Sequence, residues 1–160
     1  MYKKIMVPLD GSKLAECVIP HLETVVKGSG SPEVFLVQAV EPIAVPYGRE
    51  VTEIASMEQL TAFESHNKVA AEKYLEKIAS QLQKAGINAR TYVLYGKPAE
   101  VLSDFANKNN LDLVIIATHG RSGISRWVWG SVADRLIRSI RVPVLMVRPM
   151  ECAPAGQEAT

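Results

Sequence analysis

The run Leu113-Val-Ile-Ile-Ala117 leads directly into Thr118-His119-Gly120, and Gly130-Ser131 follows after nine further residues. A continuous apolar run of this length reads as a buried strand. Ser131-Val-Ala-Asp134 has the Ser-x-x-Asp spacing of a capping box, which predicts a helix start at Ser131. A strand, a glycine-bearing loop and a helix N-terminus in succession make an anion site. Glycine lets the backbone come close to a phosphate, and the unpaired N–H groups and dipole of the helix start attract negative charge. The segment therefore predicts a phosphate-bearing ligand.

The rest of the chain repeats the strand–helix alternation. Tyr2–Val7 reads as a first strand closed by Pro8, and Asp10-Gly-Ser12 as a turn in which Ser12 caps a helix. Leu14, Val18, Leu22 and Val25 recur at helical spacing, and Pro20 inside that stretch predicts a kink before Gly28-Ser-Gly-Ser-Pro32 ends the helix. Val34–Val40 reads as the second strand and Glu41–Met57 as a loop. A long helix follows over about residues 60–84, its buried stripe marked by Ala71, Leu75, Ile78 and Leu82, and Gly86 stops it. Asn88–Tyr95 is the third strand, Pro98 opens the next helix, and Leu111–Ala117 is the fourth strand. Ser131–Ile140 is the last helix and Pro143–Val147 the last strand. This order predicts an α/β fold, a five-stranded parallel sheet with helices on both faces. In such sheets ligands sit beyond the carboxyl ends of the strands, where the winding direction switches. Residues 1–149 form one domain, and 150–160 a tail rich in small residues.

Composition narrows the function classes. A net charge of +1 argues against nucleic-acid binding, and Arg135, Arg138, Arg141 and Arg148 read as a solvated basic face. Two cysteines, one of them (Cys152) in the tail, give no structural disulfide and point to a reducing, cytoplasmic setting. No apolar run approaches membrane-spanning length, and the first residues read as a strand rather than a signal peptide. The P-loop pattern G-x-x-x-x-G-K-[ST], a G-x-G-x-x-G after the first strand, zinc-spaced Cys/His clusters and the G-x-S-x-G elbow are all missing from the sequence.

Val7-Pro8-Leu9-Asp10-Gly11-Ser12, Thr118-His-Gly-Arg-Ser-Gly123, Gly130-Ser-Val-Ala-Asp-Arg135 and Val142-Pro-Val-Leu-Met-Val147 together resemble the universal stress protein family, from Lys3 to Arg148. Its ATP-binding branch carries G-x-x-G, nine residues, then G-[ST]. Here Gly120, Gly130 and Ser131 match, while Ala117 stands in the place of the first glycine and adds a methyl group to the phosphate cradle. The resemblance implies a Rossmann-like sheet of strand order 3-2-1-4-5 and a regulatory protein that binds ATP, ADP or AMP with Mg or Mn. Pro8, Leu9 and Ala39 would line the adenine slot, and Asp10 would hold the ribose or a metal-bound water. Ala117, Gly120, Arg121, Gly130, Ser131 and Val132 would surround the phosphates. The last strand, Pro143–Val147, would lie at a sheet edge and pair two copies into a homodimer.

Two other functions are open on the sequence. A slow ATPase or nucleotidyl-transfer enzyme would need a positioned base, and His119 reads instead as a hydrogen-bonded loop residue. A nucleotide-free dimeric interaction module is the second, and Ala117 gives it weight. Trp127 and Trp129 read as packing the loop onto the protein body, with an exposed partner surface as the alternative. His21 and His66 read as helix surface.

Overall fold

The computed structural model describes residues 1–42, 55–118 and 131–148, with side chains undescribed at 55–61 and 131. Short runs of apolar and β-branched residues form the strands β1 (Lys4–Pro8), β2 (Glu33–Val40), β3 (Ala89–Tyr95), β4 (Leu113–Ala117) and β5 (Val144–Val147). All pair in parallel in the order β3-β2-β1-β4-β5. The start of β1 is tied to β4 through Asp112, whose carboxylate accepts the backbone N–H groups of Lys3 and Lys4 at 2.8 and 2.9 Å.

Side chains alternate across the sheet, so each strand feeds two cores. Ile5, Val7, Leu36, Leu113 and Ile115 face helices α1 (Ile19–Ser29) and α2 (Ala55–Lys84), meeting Val18, Leu22, Leu75, Ile78 and Leu82. Met6, Phe35, Val37, Val114 and Ile116 face α3 (Pro98–Lys108) and α4 (Ser131–Ser139), meeting Leu102, Ala106, Ala133, Leu136 and Ile140. Phe35, Tyr92 and Phe105 make a three-ring cluster on that second face, with centroids 5.0–6.0 Å apart. The expected α/β architecture, its strand order and the helices on both faces are present.

Some local expectations change. The segment after Ser12 is a 3-10 turn at Ala15–Val18, and α1 begins only at Ile19. Pro20 stands in the first turn of α1, where its missing N–H costs no helical bond, so it starts the helix rather than kinking it. Gly28 is helical; the left-handed residue that ends α1 is Gly30, at φ 70°. The long helix starts at Ala55 rather than near residue 60, so the expected loop at Glu41–Met57 is shortened by its last turn. Residues 43–54 of that loop, and the tail at 150–160, lie outside the described residues. Asp134, expected to complete a capping box with Ser131, gives both carboxylate oxygens to Arg138 at 3.1–3.2 Å. Arg135, Arg138, Arg141 and Arg148 are exposed, as are His21 and His66. Among the described residues no helix is long and apolar enough to cross a membrane.

Candidate functional site

The sheet order fixes where the site lies. β1 is central, with β2 on one side and β4 on the other. The chain leaves β1 toward α1 on one face and leaves β4 toward α4 on the opposite face. The connections diverge and open a crevice above the carboxyl ends of β1 and β4, the switch point of this sheet.

On the β1 side the crevice is bordered by a rigid turn. Asp10 Oδ1 accepts the Ser12 N–H at 2.9 Å, and Ser12 Oγ accepts the Ala15 N–H at 3.1 Å. Gly11 sits at φ 83°, a left-handed conformation that favours glycine. Asp10 is exposed, and no other hydrogen bond holds it among the described residues. The turn uses one carboxylate oxygen and leaves the other open. Pro8 and Leu9 are buried; the Leu9 side chain belongs to the core below α1 and α2, and its N–H donates to the Val37 carbonyl at 2.9 Å. What these two residues present to the crevice is backbone.

On the other side Ala117 ends β4 half-buried and opposite Val147, and the Thr118 N–H donates to the Val147 carbonyl at 2.8 Å. The helix expected at Ser131 does begin there. Val132 packs half-buried against the second core. Gly120, Arg121 and Gly130 lie outside the described residues, with His119, Gly123, Trp127 and Trp129, and so does the Ser131 side chain. Among the described residues, Asp10, Gly11 and the ends of β1, β2 and β4 come together, with the strand end at Ala117 and the helix start at Ser131 beside them.

Ala39 opens onto a cavity of about 400 Å³ between the end of β2 and α2, shared with Gly11, Gln38, Asn67, Ala70 and Tyr74. Gln38, Asn67, Ala70 and Tyr74 were not singled out from the sequence. Their signal is faint but real: Asn67, Ala71, Tyr74 and Ile78 recur at three and four residues, so the stripe of α2 runs on past its apolar part as polar and small residues. Because α2 runs antiparallel to the strands, this polar stretch lies over their carboxyl ends. The Gln38 Oε1 and the Tyr74 Oη are both shielded from solvent without a hydrogen-bond partner. Burial, then the charges of Glu16 and Asp10, push the Tyr74 hydroxyl well above its ordinary pKa. Glu16 is near enough to act on the hydroxyl electrostatically, but its placement does not give a well-formed hydrogen bond.

Cys17 is half-buried, with its thiol pushed up by burial. Among the described residues no group of three His, Cys, Asp or Glu side chains could hold a metal ion.

Residues 1–148 match the profile of the Universal stress protein family. Universal stress protein MJ0531 of Methanocaldococcus jannaschii is 30% identical over 148 residues, covering 92% of this chain and 83% of that one. The solved structure of MJ0577, a universal stress protein of the same organism, aligns with a TM-score of 0.76 at 26% identity, covering 94% of this chain and 99% of that one. A universal stress protein family protein of Arabidopsis thaliana with AMP bound aligns with a TM-score of 0.64 over 93% of each chain; at 17% identity that is a likeness of fold.

Proposed function

The chain belongs to the universal stress protein family, and we propose that it binds an adenine nucleotide, ATP foremost, and acts in the stress response through nucleotide-dependent shape or partner binding. One observation carries the reading: the sheet order sets the Asp10–Ser12 turn and the end of β4 on either side of the switch-point crevice, with the 400 Å³ cavity opening beside Gly11. AMP in the Arabidopsis thaliana neighbour supports adenine as the base. In this reading Asp10 turns its open oxygen to a ribose hydroxyl or to a water of a Mg or Mn ion carried by the nucleotide. Backbone of Pro8, Leu9 and Ala39 borders the base. Ala117, Gly120, Arg121, Gly130, Ser131 and Val132 receive the phosphates, where the start of α4 adds its N–H groups and dipole.

The proposed protein is a homodimer that works in the cytoplasm. β5 pairs only with β4, its far edge is unpaired among the described residues, and Met146 is exposed on it. Hydrolysis is expected to stay below about one per second, the low end of enzyme rates, because the sequence offers phosphate-cradle residues and no convincing general base. The test is mass spectrometry of small molecules released by denaturing protein purified without added nucleotide, followed by dialysis against labelled ATP. The reading expects released adenine nucleotide, or ATP uptake of about one per chain. Neither release nor uptake would favour a nucleotide-free module.

A further inference from the structure

We propose that Gln38 and Tyr74 read the base, the Gln38 amide pairing with the 6-amino edge of an adenine seated in the cavity between β2 and α2. This rests on the nucleotide-binding reading and adds to it the residues that choose the base. Gln38 is the one polar side chain between Val34 and Val40, in a strand flanked on both sides by other strands. A polar group on the covered face of such a strand is unfavourable unless something bonds it. Its Oε1 has no partner, and neither has the Tyr74 hydroxyl across the same cavity. Both atoms are covered, so a ligand reaches them only as the two side chains turn toward the cavity; two unsatisfied groups beside one cavity favour a ligand that offers polar atoms to both.

The chemistry fits a purine better than an anion. Asp10 and Glu16 both act on the Tyr74 hydroxyl, so the neighbourhood is acidic and repels phosphate. An uncharged ring carries no such penalty. Gly11, Ala70 and Ala71 keep the walls low, and about 400 Å³ lies within the usual range for small-molecule sites, roughly 300–1,000 Å³. Adenine presents a 6-amino donor beside ring-nitrogen acceptors, and a primary amide matches that pair with two bonds, as glutamine does in base recognition. The last torsion of glutamine is soft, so the amide turns to the ring. Tyr74 donates to a remaining ring nitrogen. A Cβ on Gly11 would lie 3.7 Å from Gln38 Nε2, so the amide stands next to the Asp10 turn. A base held there would place its sugar toward Asp10 and its phosphates away from the acidic pair, toward α4.

Calorimetric titration of the full chain, of Gln38→Leu and of Tyr74→Phe, each with ATP and with purine riboside triphosphate, which lacks the 6-amino group, tests this. Gln38→Leu should weaken ATP about three- to tenfold, the loss of one or two hydrogen bonds, and weaken the analogue less, since that ligand keeps only the ring-nitrogen bond; a merely structural role would weaken both alike. Tyr74→Phe should weaken both ligands by about threefold. If Leu disturbs the strand, Gln38→Met, nearer in length, should show the same selective loss. Wild-type ATP affinity in all these variants would overturn the assignment and leave nucleotide binding standing. Failure of the wild type to bind ATP would remove the nucleotide reading itself, and this inference with it.

Discussion

Tyr74 shows how one residue ties stability to the site. Its hydroxyl is buried without a hydrogen bond and titrates above the ordinary tyrosine value. Below about pH 10, the ordinary value, folded and unfolded chains both keep it neutral. As the pH rises past that value the unfolded chain ionises while the folded one resists, so folding stability falls with increasing pH. Tyr74→Phe removes that component. The variant should unfold at a higher pH than wild type in an alkaline titration followed by circular dichroism, and should be no less stable at neutral pH without nucleotide. An unchanged alkaline midpoint would contradict the burial of the hydroxyl. Asp10 has two roles to separate, because one oxygen holds the turn and the other is offered to a ligand. Asp10→Ala should weaken ATP binding by about 1–3 kcal/mol, the range for a charged hydrogen bond, as well as lower the melting temperature. A drop in stability with ATP affinity intact would confine Asp10 to the turn.

At the scale of elements, the strands were legible because each is a short apolar run or, in β3, an alternating one, bounded by Gly, Pro or a polar turn. β2, β4 and β5 lie within two residues of their expected ends. The entry to α1 was not legible, because Leu14, Val18, Leu22 and Val25 satisfy helical spacing equally well as a 3-10 turn followed by a helix. Only the backbone decides that Pro20 begins the second piece. Half of the candidate site was readable in the same way, as strand ends and turn chemistry: Asp10, Ser12, Ala117 and the start at Ser131. The cavity was not, since Gln38 becomes a covered polar group only once α2 lies over β2. Gly96 marks another junction that sequence alone leaves ordinary. It joins β3 to α3 at φ 135°, and a Cβ there would come within 2.7 Å of Val101 Cγ1. Gly96→Ala combines backbone strain with that contact and should cost about 1–3 kcal/mol, measured by urea unfolding. A loss below about 0.5 kcal/mol, the usual scatter for surface substitutions, would show that the junction relaxes freely.

At the scale of the whole molecule, the sheet has two edges, β3 and β5, of which the proposal uses the second for pairing. A two-fold axis through β5 would make the contact self-complementary. Light scattering at micromolar concentration should give twice the 17.5 kDa chain mass for the wild type, and a lower mass for Met146→Lys, which puts a charge on that edge. One chain mass for the wild type would refute the dimer without touching the nucleotide site. The central claim is that the switch-point crevice takes ATP, and an equilibrium titration of ATP into the wild type and into Gly130→Val, with Mg present, tests it most directly. Binding in the micromolar range by the wild type, lost in Gly130→Val while the nucleotide-free melting temperature holds, is the predicted result. No binding by the wild type at millimolar ATP, or equal affinity in the two proteins, would contradict it.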